Sequence, residues 1–150
     1  MRFFARLLLL VSALIVPVLA ADAPLASSSD SVKLVLQVTE AQFLSAAEAM
    51  PEKLYSFAPS WPGFEGVRTF AEQIKHVACS NFAFFNEVEH KTPPEHCEKS
   101  GPVRAATKSE LIQYLRDSFD YGNKVLSAMT DTSAKEKVRG QTGETTPALQ

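Results

Sequence analysis

Two threonines fix where helices can begin in this chain. Thr69 stands three residues before Glu72, and Thr107 three before Glu110, each pair at the head of an apolar stripe. In such a capping box the threonine hydroxyl and the glutamate carboxylate satisfy backbone N–H groups that a helix start leaves orphaned. After Thr69, Phe70, Ile74, Val77, Ala78, Asn81, Phe85 and Val88 share one helical face, which predicts a helix over residues 70–89. After Thr107, Leu111, Tyr114, Leu115, Ser118, Phe119, Gly122, Val125, Leu126 and Met129 do the same down to about residue 130. A further stripe, Val32, Val35, Leu36, Thr39, Phe43, Ala46, Ala47 and Met50, predicts a helix over residues 31–50. Pro51 ends it, because the residue before a proline is pushed out of the α region.

Between the helices the pattern breaks. Residues 51–68 carry Pro51, Pro59, Pro62, Gly63 and Gly66, which exclude a regular element, together with Leu54, Tyr55, Phe57, Trp61 and Phe64. So many aromatic groups predict a strap packed on the helices rather than a loop that contacts substrate. Residues 91–104 form a second loop with Pro93, Pro94, Gly101 and Pro102, and residues 131–150 read as a polar tail without a strand. The expected fold is all-α, an antiparallel up-down bundle of three helices over residues 31–130.

The N-terminus directs this domain out of the cytoplasm. Arg2 and Arg6 precede an almost wholly apolar run from Leu7 to Leu19, and Val18-Leu19-Ala20 suits a signal peptidase. Residues 1–20 are thus expected to be a cleavable signal peptide and residues 21–30 a flexible leader, with the mature protein secreted or periplasmic. The run is shorter than the ~20 residues of a membrane span. Loss of Arg2 and Arg6 takes the net charge from −2 to −4. No basic cluster remains, so nucleic acid is not an expected partner, and no second long apolar run suggests membrane contact after signal removal. In an oxidising compartment Cys79 and Cys97, the two cysteines, are a candidate disulfide. Two unpaired thiols are the alternative, since spacing does not establish the necessary approach.

Few residues carry recognisable chemistry. No nucleophile elbow, phosphate-binding glycine loop or Cys-x-x-Cys occurs. His76 falls near Thr69, Gln73, Ser80 and Ala83 on a helical wheel, away from the apolar face, so periodicity places it on an exposed or flanking side. His90, Glu95, His96 and Cys97 contain metal-capable groups, but their spacing fits no common structural zinc pattern and a solvated loop is expected.

The blocks Met50-Pro51, Tyr55, Phe57 and Pro59, then Val67-Arg68-Thr69-Phe70, His76 and Ala78, resemble the DinB/YfiT-like superfamily. The resemblance extends through Asn81-Phe82 to Thr107-Lys108-Ser109-Glu110-Leu111 and Phe119-Asp120-Tyr121, covering about residues 31–130. It implies an antiparallel four-helix bundle. It also implies a divalent metal, zinc or nickel, held by three histidines, one on helix 2 and two in an H-x-x-x-H pair on helix 4. Some relatives are thiol-dependent transferases or isomerases. His76 matches the helix 2 ligand. The H-x-x-x-H pair has no counterpart in these residues, so the expectation is a member truncated before helix 4, metal-binding through His76 but incomplete or inactive as an enzyme. The alternative is a noncatalytic exported binding or stress-related protein; the small-molecule substrate is unknown. Without a fourth helix, Phe70, Ile74, Val77, Leu111, Leu115 and Leu126 are expected to be partly exposed, making the chain marginally stable or a homodimer.

Overall fold

The computed structural model describes residues 28–92, 94, 105–140 and 143–147. Helix α1 spans Ser28–Ala49, α2 Phe70–Val88 and α3 Lys108–Ala128. Residues 1–20, the expected signal, lie outside the described residues, as do most of the leader and Cys97. Ser28, Ser29 and Asp30, expected in the leader, already belong to α1.

Both capping boxes form. The Thr69 hydroxyl accepts the Glu72 N–H and the Glu72 carboxylate accepts the Thr69 N–H; Thr107 and Glu110 repeat the arrangement. Hydrogen bonds from Thr69 hold the Glu72 carboxyl below its ordinary value, and those from Thr107 and Ala106 do the same for Glu110. A depressed folded-state value means the stabilisation is present above the ordinary carboxylate pKa and is lost as pH falls through the lowered one. At the far end of α1, Pro51 stops the helix, and the Lys108 ammonium donates to the carbonyls of Glu48 and Met50, 2.7 Å from each.

The close helix pairings are α2 with α3 and α1 with α3. Lys33 reaches Ser127, Glu40 meets Asn123, and Glu48 pairs with Arg116. These contacts run in opposite order along the two helices, so α1 and α3 are antiparallel. In contrast, Asn81 bonds Ser118, and Phe85 lies against Gly122 four residues further on. Helices α2 and α3 therefore run in the same sense. A strictly alternating up-down succession does not hold. The connection from residue 89 to 107 is long enough to return the chain along the bundle. An extended chain gains ~3.3 Å per residue, while a twenty-residue helix is ~30 Å long.

Held between α1 and α2, α3 carries the core. Phe119, Leu111 and Leu115 are buried with Ile74 and Ala78 from α2, Leu44 and Ala47 from α1, Tyr55 and Ala105. Burial of each large side chain contributes about 1.5–3 kcal/mol. Ile74, Leu111, Leu115 and Leu126 are thus not exposed as expected, because α3 finds cover on both sides; Phe70 and Val77 are half-buried. The open apolar surface lies elsewhere. Val32, Leu34, Val35 and Val38 on the first half of α1 and Phe84 on α2 are exposed. The α1 face is also shifted from the expected one: Leu44 is buried, while Val32 and Val35 are not.

The tail departs from the expected structureless segment. Strands β1, Val138–Gly140, and β2, Gly143–Thr145, form an antiparallel hairpin with Gly140 opposite Gly143. Val138 is buried where β1 meets α2, and Lys137 bridges to Glu144. A three-residue strand is too short to show as alternation in sequence.

Gly122 sets how closely α2 and α3 approach. A Cβ there would stand 2.2 Å from Phe85 Cε2. Alanine gains about 1 kcal/mol in helix propensity over glycine, but overpacking costs about 1–3 kcal/mol. Gly122→Ala should therefore lower the urea midpoint, whereas in a Phe85→Leu background the same change should raise it. A midpoint raised by Gly122→Ala in the native background would contradict the close approach.

Candidate functional site

His76 is half-buried on α2, two residues after the core residue Ile74 and three before Cys79. The flanking position expected from periodicity is where the helix places it. Among the described residues, no group of three or more His, Cys, Asp or Glu side chains converges anywhere in the fold. One imidazole does not meet the requirement of a catalytic zinc, which uses three protein ligands. The described residues therefore do not by themselves fit the expected zinc or nickel centre.

The stretch from Glu89 to Cys97 splits. Glu95, His96 and Cys97 lie outside the described residues. Glu89 and His90 terminate α2. The Lys91 N–H bonds the Asn86 carbonyl and the His90 N–H bonds the Glu87 carbonyl, the two bonds of a Schellman motif. His90 occupies its left-handed position with φ 56°, one that glycine usually takes because a Cβ is disfavoured there. The Glu89 carboxylate pairs with the Lys91 ammonium, and this hydrogen bond is the main cause that lowers its pKa. Both side chains face solvent. The local sequence thus builds a helix stop rather than a ligand cluster. The sequence signal for it was weak, since histidine stands where glycine would mark the stop.

Cys79 is fully buried and disulfide-bonded. Beside it on α2 and α3 runs a seam of aromatic and polar groups. Phe82 stacks between Tyr114 and Tyr121, with ring centroids 5.4 and 5.7 Å away. The Tyr121 hydroxyl donates to Asn86 at 2.7 Å, and Asn81 donates to the buried Ser118. Burial raises the Tyr114 pKa, and its hydroxyl has no hydrogen-bond partner among the described residues. Such a seam fixes the α2–α3 register; it does not present a nucleophile.

Two concavities lie at the end of the bundle where α2 and α3 finish. One, of about 350 Å³, opens between the ends of α2 and α3 and the hairpin, and includes Glu89, His90, Ser133 and Glu136. The other, of about 230 Å³, is the apolar groove between the first half of α1 and the second half of α2. It is lined by Val32, Leu36, Phe84, Phe85 and Val88, and floored by Leu126 of α3. Sequence periodicity placed Val32, Leu36, Phe85, Val88 and Leu126 of the lining on core-facing stripes, but not Phe84. It could not show that α1 and α2 stay apart here, because that depends on both helices packing on α3.

A family profile described as the DinB superfamily matches residues 36–149, and the chain belongs to that superfamily. No curated protein and no solved structure matches the chain.

The strained cap yields a direct test. An L-residue in the left-handed region costs about 1–2 kcal/mol relative to its ordinary conformation. Replacing His90→Gly should raise the unfolding free energy by about 1 kcal/mol, as read from urea denaturation. A loss of stability would show that the imidazole makes a contact worth more than the strain.

Proposed function

We propose that this DinB superfamily bundle is an exported protein that acts by binding, retaining at His76 one position of the superfamily's metal site without completing a catalytic centre among its described residues. The observation that carries this reading is that His76 belongs to no three-ligand cluster. The imidazole is held on α2, and among the described residues no group of three or more His, Cys, Asp or Glu side chains forms around it. The apolar groove supports binding over chemistry, because its walls are aliphatic and aromatic.

Export is supported by the n-region, apolar run and cleavage-site pattern of residues 1–20, and a disulfide at Cys79 is compatible with an oxidising compartment. We take Cys97, the other cysteine of the chain, as its partner. That bridge would close a loop of about 18 residues and stabilise the fold by about 3 kcal/mol in the chain-entropy account.

A second reading, a metal-dependent enzyme, is favoured by the family match and by His76 standing at the helix 2 ligand position. In it the remaining imidazoles come from outside the described residues. Calorimetric titration of residues 21–150 with zinc and with nickel separates the two. The binding reading predicts weak association, abolished by His76→Ala. A stoichiometric site of submicromolar affinity would favour the enzyme. If that site also survived His76→Ala, His76 would have no part in it.

A further inference from the structure

The segment expected to strap the helices does so through Tyr55. That side chain is buried, and its hydroxyl donates to the Ala47 carbonyl at 2.6 Å. The rest of the segment is pinned at both ends and stands away from the core. The Phe70 N–H bonds the Phe57 carbonyl and the Ala71 N–H bonds the Tyr55 carbonyl, so the base of the loop closes on the orphan donors at the start of α2.

Between those pins the chain folds into two successive turns. The Phe64 N–H bonds the Trp61 carbonyl across Pro62 and Gly63, and the Val67 N–H bonds the Phe64 carbonyl across Glu65 and Gly66. Gly63 has φ 91° and Gly66 φ 75°, as the third residue of a type II turn requires. Proline favours the second position, where Pro62 stands. The two turns share a corner at Phe64, so Trp61, Phe64 and Val67 project at three-residue intervals. Earlier in the segment, Leu54 and Phe57 stand at the corners of turns closed by Leu54 N–H to Pro51 and Phe57 N–H to Leu54. All five side chains are exposed, Trp61 by 66%, Phe57 by 51% and Phe64 by 48%. Trp61 and Phe64 meet edge to face at 6.5 Å.

We propose that this loop is a preformed apolar prow with which the protein rests on the interface of a lipid bilayer, Trp61 and Phe64 entering the headgroup region. Aromatic side chains, tryptophan above all, partition to that region, where one end is apolar and the other wet. Its apolar groups are spaced along successive turns instead of gathered into one anchor, an arrangement that a deformable surface accommodates. The turn hydrogen bonds keep part of the loop backbone satisfied where water is scarce. Their fixed geometry also lowers the ordering cost of binding.

Charge sets the depth and the lipid. Glu65 sits between Phe64 and Gly66, and its carboxylate accepts the Gly63 N–H. A bond from its own N–H, and then that from Gly63, hold its pKa below the ordinary value, so it stays charged at neutral pH. A charged group at the tip confines the loop to the interface. Lys53 and Arg68 at the base are offset by Glu52 and Glu72, and residues 21–150, without Arg2 and Arg6, carry −4. Attraction to anionic headgroups is therefore not the driving force, and zwitterionic lipid suffices. No described helix is long and apolar enough to cross a membrane, and interfacial contact needs none. Composition alone pointed away from membrane contact, because it registers long apolar runs and not five side chains spread over fourteen residues.

Trp61 is the single tryptophan of the chain, so its emission reports the loop directly. Residues 21–150, which keep every described residue, are titrated with phosphatidylcholine vesicles. The expected result is a blue shift of the Trp61 emission together with flotation of the protein with the vesicles. Phe57→Ser combined with Phe64→Ser should lower the partition coefficient at least about tenfold, with far-ultraviolet circular dichroism showing the helices intact. Glu65→Gln, which keeps the acceptor and removes the charge, should raise partition severalfold. Absence of both shift and flotation would overturn the proposal, as would equal partition of the double variant. A blue shift that grows with protein concentration in the absence of lipid would instead assign the prow to a second copy of this chain.

Discussion

The burial of one face of α3 between two other helices is the constraint on which this structure rests. Leu111, Leu115 and Phe119 are almost wholly inaccessible, although α3 has the polar composition of a surface helix on its other side. They are covered because α1 lies antiparallel to α3 while α2 runs alongside it in the same sense. Ser118 can be buried in that contact because it donates to the Leu115 carbonyl and accepts from Asn81. Gly122 can be buried there because it has no side chain to hold Phe85 away. The positions of the groove, the aromatic seam and the prow all follow from how α1 and α2 are hung on this helix.

Local chemistry in the sequence was sufficient for the helices themselves. Thr69–Glu72 and Thr107–Glu110 mark the starts of α2 and α3, and Pro51 marks the end of α1. Each is decided by bonds within a few residues, so each is legible without the fold. The direction of α3 is not of that kind. It depends on the path of the chain between residues 89 and 107, and no periodicity reports a path. The same limit explains the misplaced exposure. Removing a fourth neighbour from an imagined alternating bundle uncovers Ile74 and Leu115. In the structure they face the helix that is present, and the uncovered side chains are Val32, Val35 and Phe84.

The site was legible in a narrower sense. His76 could be singled out by its resemblance to a family position, and the family match over residues 36–149 supports that lineage. What histidine does there depends on its neighbours, and the described residues do not complete a set of three ligand-capable side chains around it. His90, by contrast, was suggestive as a metal-capable side chain and proves to be a helix stop. Aromatic residues in the loop after α1 pointed to packing, yet only Tyr55 goes inside. Type II turns at Gly63 and Gly66 carry Trp61 and Phe64 outward, and the sequence Trp61-Pro62-Gly63-Phe64 contains the first turn without revealing which way its corners face.

If α3 is the shared support of α1 and α2, its amide protons cannot be released while the remainder of the bundle stays folded. Native-state hydrogen exchange measures this residue by residue. Amides from Leu115 to Leu126 are predicted to exchange with the free energy of global unfolding, and those from Val32 to Val38, beside the open groove, with a smaller one. Exchange from α3 at a free energy below that of the first half of α1 would contradict the account, because the bundle would then hold together without the helix assigned to join it.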